Sequence, residues 1–255
     1  MTGTFIGAGV GPGDPELITV KAVRAIERCS VIAVPVSDPA LGEPVYLECS
    51  REVTKREEGY LNGCAAYRIA EKAASKIREK GILFLPMPMI KDREKLKEIH
   101  DADAEAVAKI MENGKDVIFL TIGDPTVYST CMYVHKRLKR AGYSTELIPG
   151  VTSFCAAAAR MDMALAENRE EIHILPASYG VGDSLELPGT KVLMKAGKKM
   201  PEVQREVKKR NQSAYMVENC GLENEKIYLS VEEMPESAGY YSLLVVKEEK
   251  KGGRR

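Results

Sequence analysis

The first two thirds of the sequence alternate short apolar runs with amphipathic stretches. The clearest apolar run is DVIFLTI, residues 116–122, whose β-branched and aromatic side chains are typical of a central strand. An amphipathic stretch precedes this run and another follows it, and they stop at Gly114 and Gly142. Strands that alternate with helices form parallel sheets covered on both faces. The pattern therefore predicts an α/β fold with a mostly parallel N-terminal sheet flanked by helices.

The last third has a different rhythm, because strands follow one another with few helices between them. Strand candidates are residues 172–175, 190–194, 213–217, 226–229 and 240–246. The one convincing helix among them is residues 201–210. We therefore expect two domains, an N-terminal α/β domain over residues 1–145 and a C-terminal α/β domain over residues 146–255, the latter built on a mixed sheet.

Composition excludes several classes of protein. The 255 residues include 37 basic and 37 acidic side chains, so the zero net charge gives no electrostatic reason to expect nucleic acid or a membrane surface as partner. The longest apolar stretch, residues 82–90, contains Pro86 and Pro88 and is too short to span a bilayer. The N-terminus lacks the basic segment of a signal peptide, which favours a cytoplasmic location.

The cysteines and histidines show no ligand spacing. The six cysteines include no CxxC pair, and the three histidines lie far apart in the sequence. We therefore expect reduced, buried or half-buried thiols and no metal site.

The glycine-rich segment GAGVGPGD, residues 7–14, stands between a strand and a helix. It does not fit the dinucleotide fingerprint GxGxxG, because Pro12 or Asp14 occupies the third glycine position. What remains is a flexible turn that allows close backbone approach to a ligand, or a tight turn and nothing more. Asp14 and Pro15 suit the start of a helix, which the apolar spacing extends to Arg28.

Two further segments are placed to bind a ligand. TIGDPTVYST, residues 121–130, follows the most apolar strand, and ligands bind at the carboxyl ends of strands in open α/β sheets. Gly123 leaves room there, and Asp124 is suited to accept hydrogen bonds or simply to cap a helix. PGVTSF, residues 149–154, places small residues at the start of another helix, where a flat ligand or a second helix can lie close.

The segment around MPM, residues 87–89, precedes a basic group that includes Lys91 and Arg93. These cations are suited to substrate carboxylates, although a charged helix face is commonly only solvated. The sequence has no GxSxG motif and no marked pair of carboxylates. Composition and spacing alone indicate an α/β enzyme with a ligand site at strand ends.

Taken together, these motifs resemble the tetrapyrrole methylase family. The resemblance rests on GAGVGPGDPELITVKAVRAIERCSVIAVP, TIGDPTVYST, IPGVTSFCAAAARMDMALAE, MKAGKKM and MVENCG, and it covers nearly the whole chain. The YST after GDP, the TSF after PG and the FLPMPMIKDRE segment are most similar to the branch that methylates C-20 of precorrin-2 or cobalt-factor II. Residues 37–63 do not align with the family pattern.

The resemblance implies methyl transfer from S-adenosylmethionine to C-20 of a reduced tetrapyrrole in cobalamin biosynthesis, with S-adenosylhomocysteine as product. It also implies a homodimer of two-domain chains, with the cofactor between the domains. The implied cofactor contacts are Pro12, Ile122, Gly123, Asp124, Val127, Thr152, Ser153, Met194, Cys220 and Ser242. Cys220 departs from the pattern, since the family often has a glycine or alanine there.

The same resemblance suggests how the tetrapyrrole is held. Tyr128 is the candidate for a catalytic group near the macrocycle, with Ser129 and Thr130 beside it, and Lys91 and Arg93 are candidates to pair with its carboxylates. Three alternatives remain open at this point: a family member that acts at another ring carbon, the diphthine synthase branch, and a nucleotide-binding module without catalysis. The YST and PMPMIKDRE segments argue against the diphthine synthase branch.

Overall fold

The computed structural model describes residues 2–49, 52–177 and 180–248 and divides the chain into two compact units. The first unit ends at Thr152 and the second begins at Ser153, whereas the sequence analysis placed the boundary after residue 145. The reason for the difference is the strand Thr145–Ile148, which pairs in parallel with the strand Phe5–Gly9 and so belongs to the first sheet.

The first unit is built on a six-stranded sheet with the order β3-β4-β2-β5-β1-β6. Its strands are β1 Phe5–Gly9, β2 Val31–Val36, β3 Val45–Leu47, β4 Gly81–Pro86, β5 Val117–Thr121 and β6 Thr145–Ile148. Strand β3 runs antiparallel to β4, and the other neighbours are parallel. The expected mostly parallel sheet is confirmed.

Helices cover both faces of this sheet. They are α1 Val20–Arg28, α2 Lys55–Gly63, α3 Ala65–Ala73, α4 Arg93–Glu112 and α5 Cys131–Arg140. Along β5, Ile118 and Leu120 pack into a core with α1, α2 and α3, while Val117 and Phe119 pack into a core with α4 and α5. Because side chains alternate between the two faces of a strand, two buried faces require an apolar side chain at every position. This explains the uninterrupted apolar run that the sequence shows.

The helix predicted from Asp14 to Arg28 is interrupted. Asp14 does cap a first turn, since its Oδ1 accepts the Glu16 N–H at 2.9 Å, but that turn is a 3-10 helix that ends at Leu17. Thr19 then caps α1, because its Oγ1 accepts the Ala22 N–H at 3.1 Å. Because Asp14 and Thr19 each cap the start of an element, the segment forms a short 3-10 turn followed by a separate α-helix.

The second unit contains a five-stranded mixed sheet with the order β10-β9-β11-β8-β7. Its strands are β7 Ile172–Pro176, β8 Thr190–Met194, β9 Gln212–Glu218, β10 Lys226–Tyr228 and β11 Ser242–Glu248. Its helices are α6 Ser153–Arg160, the single turn α7 Val181–Ser184, and α8 Met200–Lys209. Strands β7 and β8 are parallel and the other pairs are antiparallel, which confirms the predicted mixed sheet.

The six cysteines are free thiols, and four of them are buried. Burial raises the pKa of Cys29 and of Cys131 to about 12, so both thiols stay protonated and unreactive at neutral pH. Cys155 is exposed, which corrects the expectation that every thiol is at least half-buried. In the described ranges no three His, Cys, Asp or Glu side chains are grouped to hold a metal, and no helix is long and apolar enough to cross a membrane.

His135 on α5 gives the first unit a predictable pH dependence. Its ring is buried, and the centroid of this ring lies 6.4 Å from the centroid of the Phe5 ring. Its Nδ1 has no hydrogen-bond partner within the described chain. Burial, with Lys139 and Lys136 nearby, lowers the pKa of His135 below its ordinary value. His135 therefore binds a proton more readily in the unfolded chain than in the folded chain. Because of this difference, the free energy of unfolding falls as the pH drops below about 6.5.

We expect His135→Leu to remove this part of the pH dependence, because leucine stays neutral at every pH. Urea unfolding at about pH 7.5 and about pH 5.5 should show a larger loss of stability in the unsubstituted protein than in the variant. Equal losses in the two proteins would contradict the assignment.

Candidate functional site

Three loops meet at the carboxyl edge of the first sheet, where the adjacent strands β5, β1 and β6 end. Gly11 and Gly123 form a backbone bridge: the Gly123 N–H donates to the Gly11 carbonyl at 2.8 Å, and the Gly11 N–H donates to the Gly123 carbonyl at 3.3 Å. The Val10 N–H donates to the Thr121 carbonyl at 3.0 Å. The loop after β1 and the loop after β5 are therefore joined backbone to backbone.

The loop after β6 closes the same cluster, and glycine is required for its approach. A Cβ on Gly150 would lie 2.1 Å from the Gly123 carbonyl oxygen, and a Cβ on Gly9 would lie 2.4 Å from that same oxygen. Side-chain atoms cannot occupy positions so close to backbone. The sequence predicted that a ligand would approach the backbone closely at these glycines. At Gly9 and Gly150 the space is instead filled by the backbone of neighbouring loops.

Asp124 ties these loops together with one carboxylate. Its Oδ1 accepts the Thr126 N–H at 2.8 Å and the Thr126 hydroxyl at 2.5 Å, which caps the local turn. Its Oδ2 accepts the Gly150 N–H at 3.0 Å, which reaches across to the loop after β6. Asp124 is buried, so these bonds are shielded from water. The side chain therefore acts both as a cap and as a bond between two loops.

The chain path makes this edge a natural ligand site. After β1 the chain enters α1, which packs on one face of the sheet, and after β5 it enters α5, which packs on the opposite face. Adjacent strands whose connections leave toward opposite faces define a topological switch point, and ligands bind in the crevice at that point. Pro12, Ile122, Gly123 and Val127 all lie in the two loops at this switch point.

Part of the hydroxyl-rich segment after Asp124 forms hydrogen bonds within the protein itself. Ser129 Oγ lies 2.8 Å from Thr121 Oγ1 and accepts the Cys131 N–H at 3.2 Å, while Thr130 immediately precedes α5. Tyr128 differs from them, because its side chain is half exposed and its backbone has a φ of 48°. A left-handed tyrosine is strained, and such strain persists at ligand sites.

Lys91 and Arg93 lie farther along the same edge. Both are exposed, and they stand in the loop after β4 and at the first position of α4. Strand β2 separates β4 from β5, so this loop starts roughly 10 Å from the Asp124 loop, at two strand spacings. The fold thus places these cations on the ligand edge but not against Asp124.

The second unit brings together three residues that are far apart in sequence. Met194 is the last residue of β8. The N–H of the next residue, Lys195, donates to the Ser242 carbonyl at 3.3 Å. Ser242 begins β11 and pairs with Glu218, the last residue of β9, two positions before Cys220. Met194, Ser242 and Cys220 therefore lie at one end of three adjacent strands.

The loop that carries Cys220 is fastened to the helix that begins at Ser153. Glu225 accepts hydrogen bonds from Arg160 Nε at 2.9 Å and 3.2 Å and from Arg160 Nη2 at 2.5 Å, and it also accepts the Gly221 N–H at 2.6 Å. Burial opposes the charge on Glu225, but the Arg160 guanidinium and the Gly221 N–H lower the pKa of this carboxyl. This pair joins the far end of α6 to the loop, and since the partners are 65 positions apart no local sequence pattern signals it.

Two buried hydroxyl groups test whether the predicted residues suit a polar ligand. Thr152 Oγ1 and Ser242 Oγ are both buried and have no hydrogen-bond partner among the described residues. Buried polar atoms in native proteins nearly always have partners. Both residues belong to the set implied by the family resemblance, and each side chain is suited to a ligand that has hydrogen-bonding groups.

The fold and the site define an α/β protein with a glycine-lined ligand edge on a parallel sheet and a second unit built on a mixed sheet. The chain belongs to the tetrapyrrole (corrin/porphyrin) methylases, whose sequence profile matches residues 4–235.

Curated relatives match over almost the full length. A probable cobalt-precorrin-2 C(20)-methyltransferase of Methanocaldococcus jannaschii is 32% identical over 94% of this chain and 94% of its own. A precorrin-2 C(20)-methyltransferase of Sinorhizobium is 27% identical over 96% of this chain and 95% of its own.

Solved structures share the fold. A cobalt precorrin-4 methyltransferase superposes with a TM-score of 0.67 at 19% identity, covering 96% of this chain and 94% of that one. A uroporphyrin-III C-methyltransferase of Thermus thermophilus, crystallised with S-adenosylhomocysteine, superposes with a TM-score of 0.63 at 19% identity, covering 96% of this chain and 98% of that one. The predicted fold class is confirmed.

Gly150→Ala should destabilise the first unit by about 2 kcal/mol or more, because the added methyl group overlaps the Gly123 carbonyl and forces the loops apart. Urea unfolding followed by circular dichroism measures the loss. Gly42→Ala is the matched control, since a Cβ there meets nothing within 4 Å. If both variants keep full stability, the loops are not held at the distances described here.

Proposed function

We propose that this chain is an S-adenosylmethionine-dependent C-methyltransferase that methylates C-20 of precorrin-2 or cobalt-factor II in cobalamin biosynthesis. The observation that carries the proposal is the near full-length similarity to relatives named for this activity, the first of them 32% identical over 94% of the chain. The two-unit fold and the ligand edge of the first sheet support it.

Activity at another ring carbon is less well supported. A cobalt-precorrin-4 C(11)-methyltransferase of Methanocaldococcus jannaschii is 30% identical but matches only 62% of this chain and 46% of its own. The similarity to the C(20) enzymes extends through both units, whereas this one covers part of the chain. A nucleotide-binding module without catalysis is disfavoured because the relatives listed above are named as enzymes.

The proposed cofactor contacts are the ten residues that the family resemblance implies. They are Pro12, Ile122, Gly123, Asp124, Val127, Thr152, Ser153, Met194, Cys220 and Ser242. Thr152 and Ser242 each supply a buried hydroxyl group that has no partner within the described chain. When bound, S-adenosylmethionine supplies a methyl group already activated by the positive charge of its sulfonium.

The work left to the protein is mainly alignment. The cofactor would supply both the methyl group and its leaving group, and the methylated meso carbon of the tetrapyrrole would lose a proton. Holding two reactants in line and excluding water accounts for large rate effects without a catalytic triad. The glycine contacts and Asp124 fix the loops that would orient the ligands, which accounts for the absence of a conspicuous triad among the described residues.

Tyr128 is the proposed contact to the tetrapyrrole nearest the reacting carbon. Its half-exposed side chain extends from a strained position beside the Asp124 loop, and the hydrogen bond between the Ser129 and Thr121 hydroxyls holds the segment. Thr130 lies beside them, and the exposed cations Lys91 and Arg93 would pair with substrate carboxylates on the same edge. We also infer, from the family resemblance, a homodimer that acts in the cytoplasm without nucleic acid or membrane as partner.

The proposal is tested by anaerobic incubation of the protein with S-adenosylmethionine and either precorrin-2 or cobalt-factor II, followed by mass spectrometry. We expect one methyl group to be added to one of the two substrates, with S-adenosylhomocysteine formed in equal amount. Methylation of neither substrate overturns the C-20 assignment.

Asp124→Ala should weaken the binding of S-adenosylhomocysteine about tenfold or more, because the loops after β5 and β6 lose their shared carboxylate. Isothermal titration calorimetry measures the dissociation constant. Asp14→Ala is the matched control, since Asp14 also accepts the N–H two residues later but no bond from another loop is described for it. Equal losses in both variants would mean that the local cap matters and the link between loops does not.

A further inference from the structure

We propose that Lys195, at the end of β8, binds a carboxylate group of the bound ligands. The proposal rests on the proposed function, which brings carboxylates from two sources: the acidic side chains of the tetrapyrrole and the amino-acid end of S-adenosylmethionine. Lys195 lies in the MKAGKKM segment but was not among the ligand contacts that the family resemblance implied.

The backbone at Lys195 is strained and fixed on both sides. Its φ is 60°, a left-handed conformation that lysine disfavours and that glycine or asparagine adopts at lower cost. The Lys195 N–H donates to the Ser242 carbonyl at 3.3 Å. Two residues later, a Cβ on Gly197 would lie 2.2 Å from the Ala238 carbonyl oxygen, and the Ala238 N–H donates to the Gly197 carbonyl at 3.2 Å, so the chain packs closely against another segment there. A lysine kept at such a position points to a use for its side chain.

The Lys195 ammonium group lies over an aromatic ring and has no carboxylate partner among the described residues. Lys195 is exposed, and its Nζ lies 5.2 Å from the centroid of the Tyr240 ring. Within the described chain, no carboxylate forms an ion pair with it. Glu218, the acidic residue nearest in strand register, is engaged by the Gly239 N–H, which donates to its Oε1 at 2.5 Å. A cation on an aromatic ring without a counter-ion is free to pair with an anionic ligand.

The position of this cation indicates a ligand rather than solvent. Lys195 directly follows Met194 and is bonded through its backbone to Ser242, two residues of the proposed cofactor set. Ser242 is 3% exposed and its hydroxyl has no partner among the described residues, so a second polar group that could bind a ligand belongs to the residue bonded to Lys195.

The experiment compares Lys195→Asn, Lys195→Arg and the control Lys198→Asn, which removes an exposed lysine from the neighbouring turn. Lys195→Asn removes the charge but suits the backbone, so its Tm should be unchanged or raised by about 2 °C. Its KM for the tetrapyrrole, or its Kd for S-adenosylhomocysteine by calorimetry, should rise about tenfold, with kcat within about twofold. Lys195→Arg and Lys198→Asn should stay within about threefold of the unsubstituted protein.

The two binding readouts distinguish the source of the carboxylate. A rise in KM for the tetrapyrrole assigns Lys195 to its acidic side chains, and a rise in Kd for S-adenosylhomocysteine assigns it to the amino-acid end of the cofactor. No change in either, or an equal loss in Lys195→Arg, overturns the inference. If the unsubstituted protein methylates neither substrate, the proposed function fails, while the calorimetric titration still tests Lys195 on its own.

Discussion

The backbone contact among Gly9, Gly123 and Gly150 is the constraint on which the ligand edge of the first unit depends. A single carbonyl oxygen, that of Gly123, would lie within 2.4 Å of a Cβ on either of the other two residues. Three loops can meet at this point only because neither Gly9 nor Gly150 has a side chain. Asp124 then fixes the arrangement with bonds to its own turn and to Gly150. The parallel sheet places the loops side by side, and the glycines let them close.

Three of the six described non-glycine residues with a positive φ lie in the segments of the proposed site. Tyr128 follows the Asp124 loop, Lys195 follows Met194, and Asn219 precedes Cys220, and each has a positive φ. Strained residues of this kind persist only where the surrounding structure fixes them. The pairing of β8 and β9 with β11 fixes the segments around Lys195 and Asn219, and the Ser129–Thr121 hydrogen bond lies next to Tyr128. These strained residues lower the stability of the fold, and they lie beside the residues proposed to act in methyl transfer.

The proposed chemistry accounts for the kind of site that is present. Methyl transfer from a sulfonium to an electron-rich carbon needs alignment more than it needs a strong base or a metal. The structure offers fixed loops, buried hydroxyl groups at Thr152 and Ser242, and cations at Lys91, Arg93 and Lys195. These are features that orient ligands with carboxylates and hydrogen-bonding groups.

The sequence by itself determined the strand–helix alternation, the mixed second sheet and the family motifs, because apolar periodicity and glycine spacing are local properties of the chain. It also located the loops at the carboxyl ends of the strands. Only the tertiary structure decided what those loops do. The Arg160–Glu225 pair, the Asp124–Gly150 bond and the Lys195 ammonium over Tyr240 join residues that are 65, 26 and 45 positions apart. No local pattern encodes such contacts, because strand order and register set them once the sheets have formed.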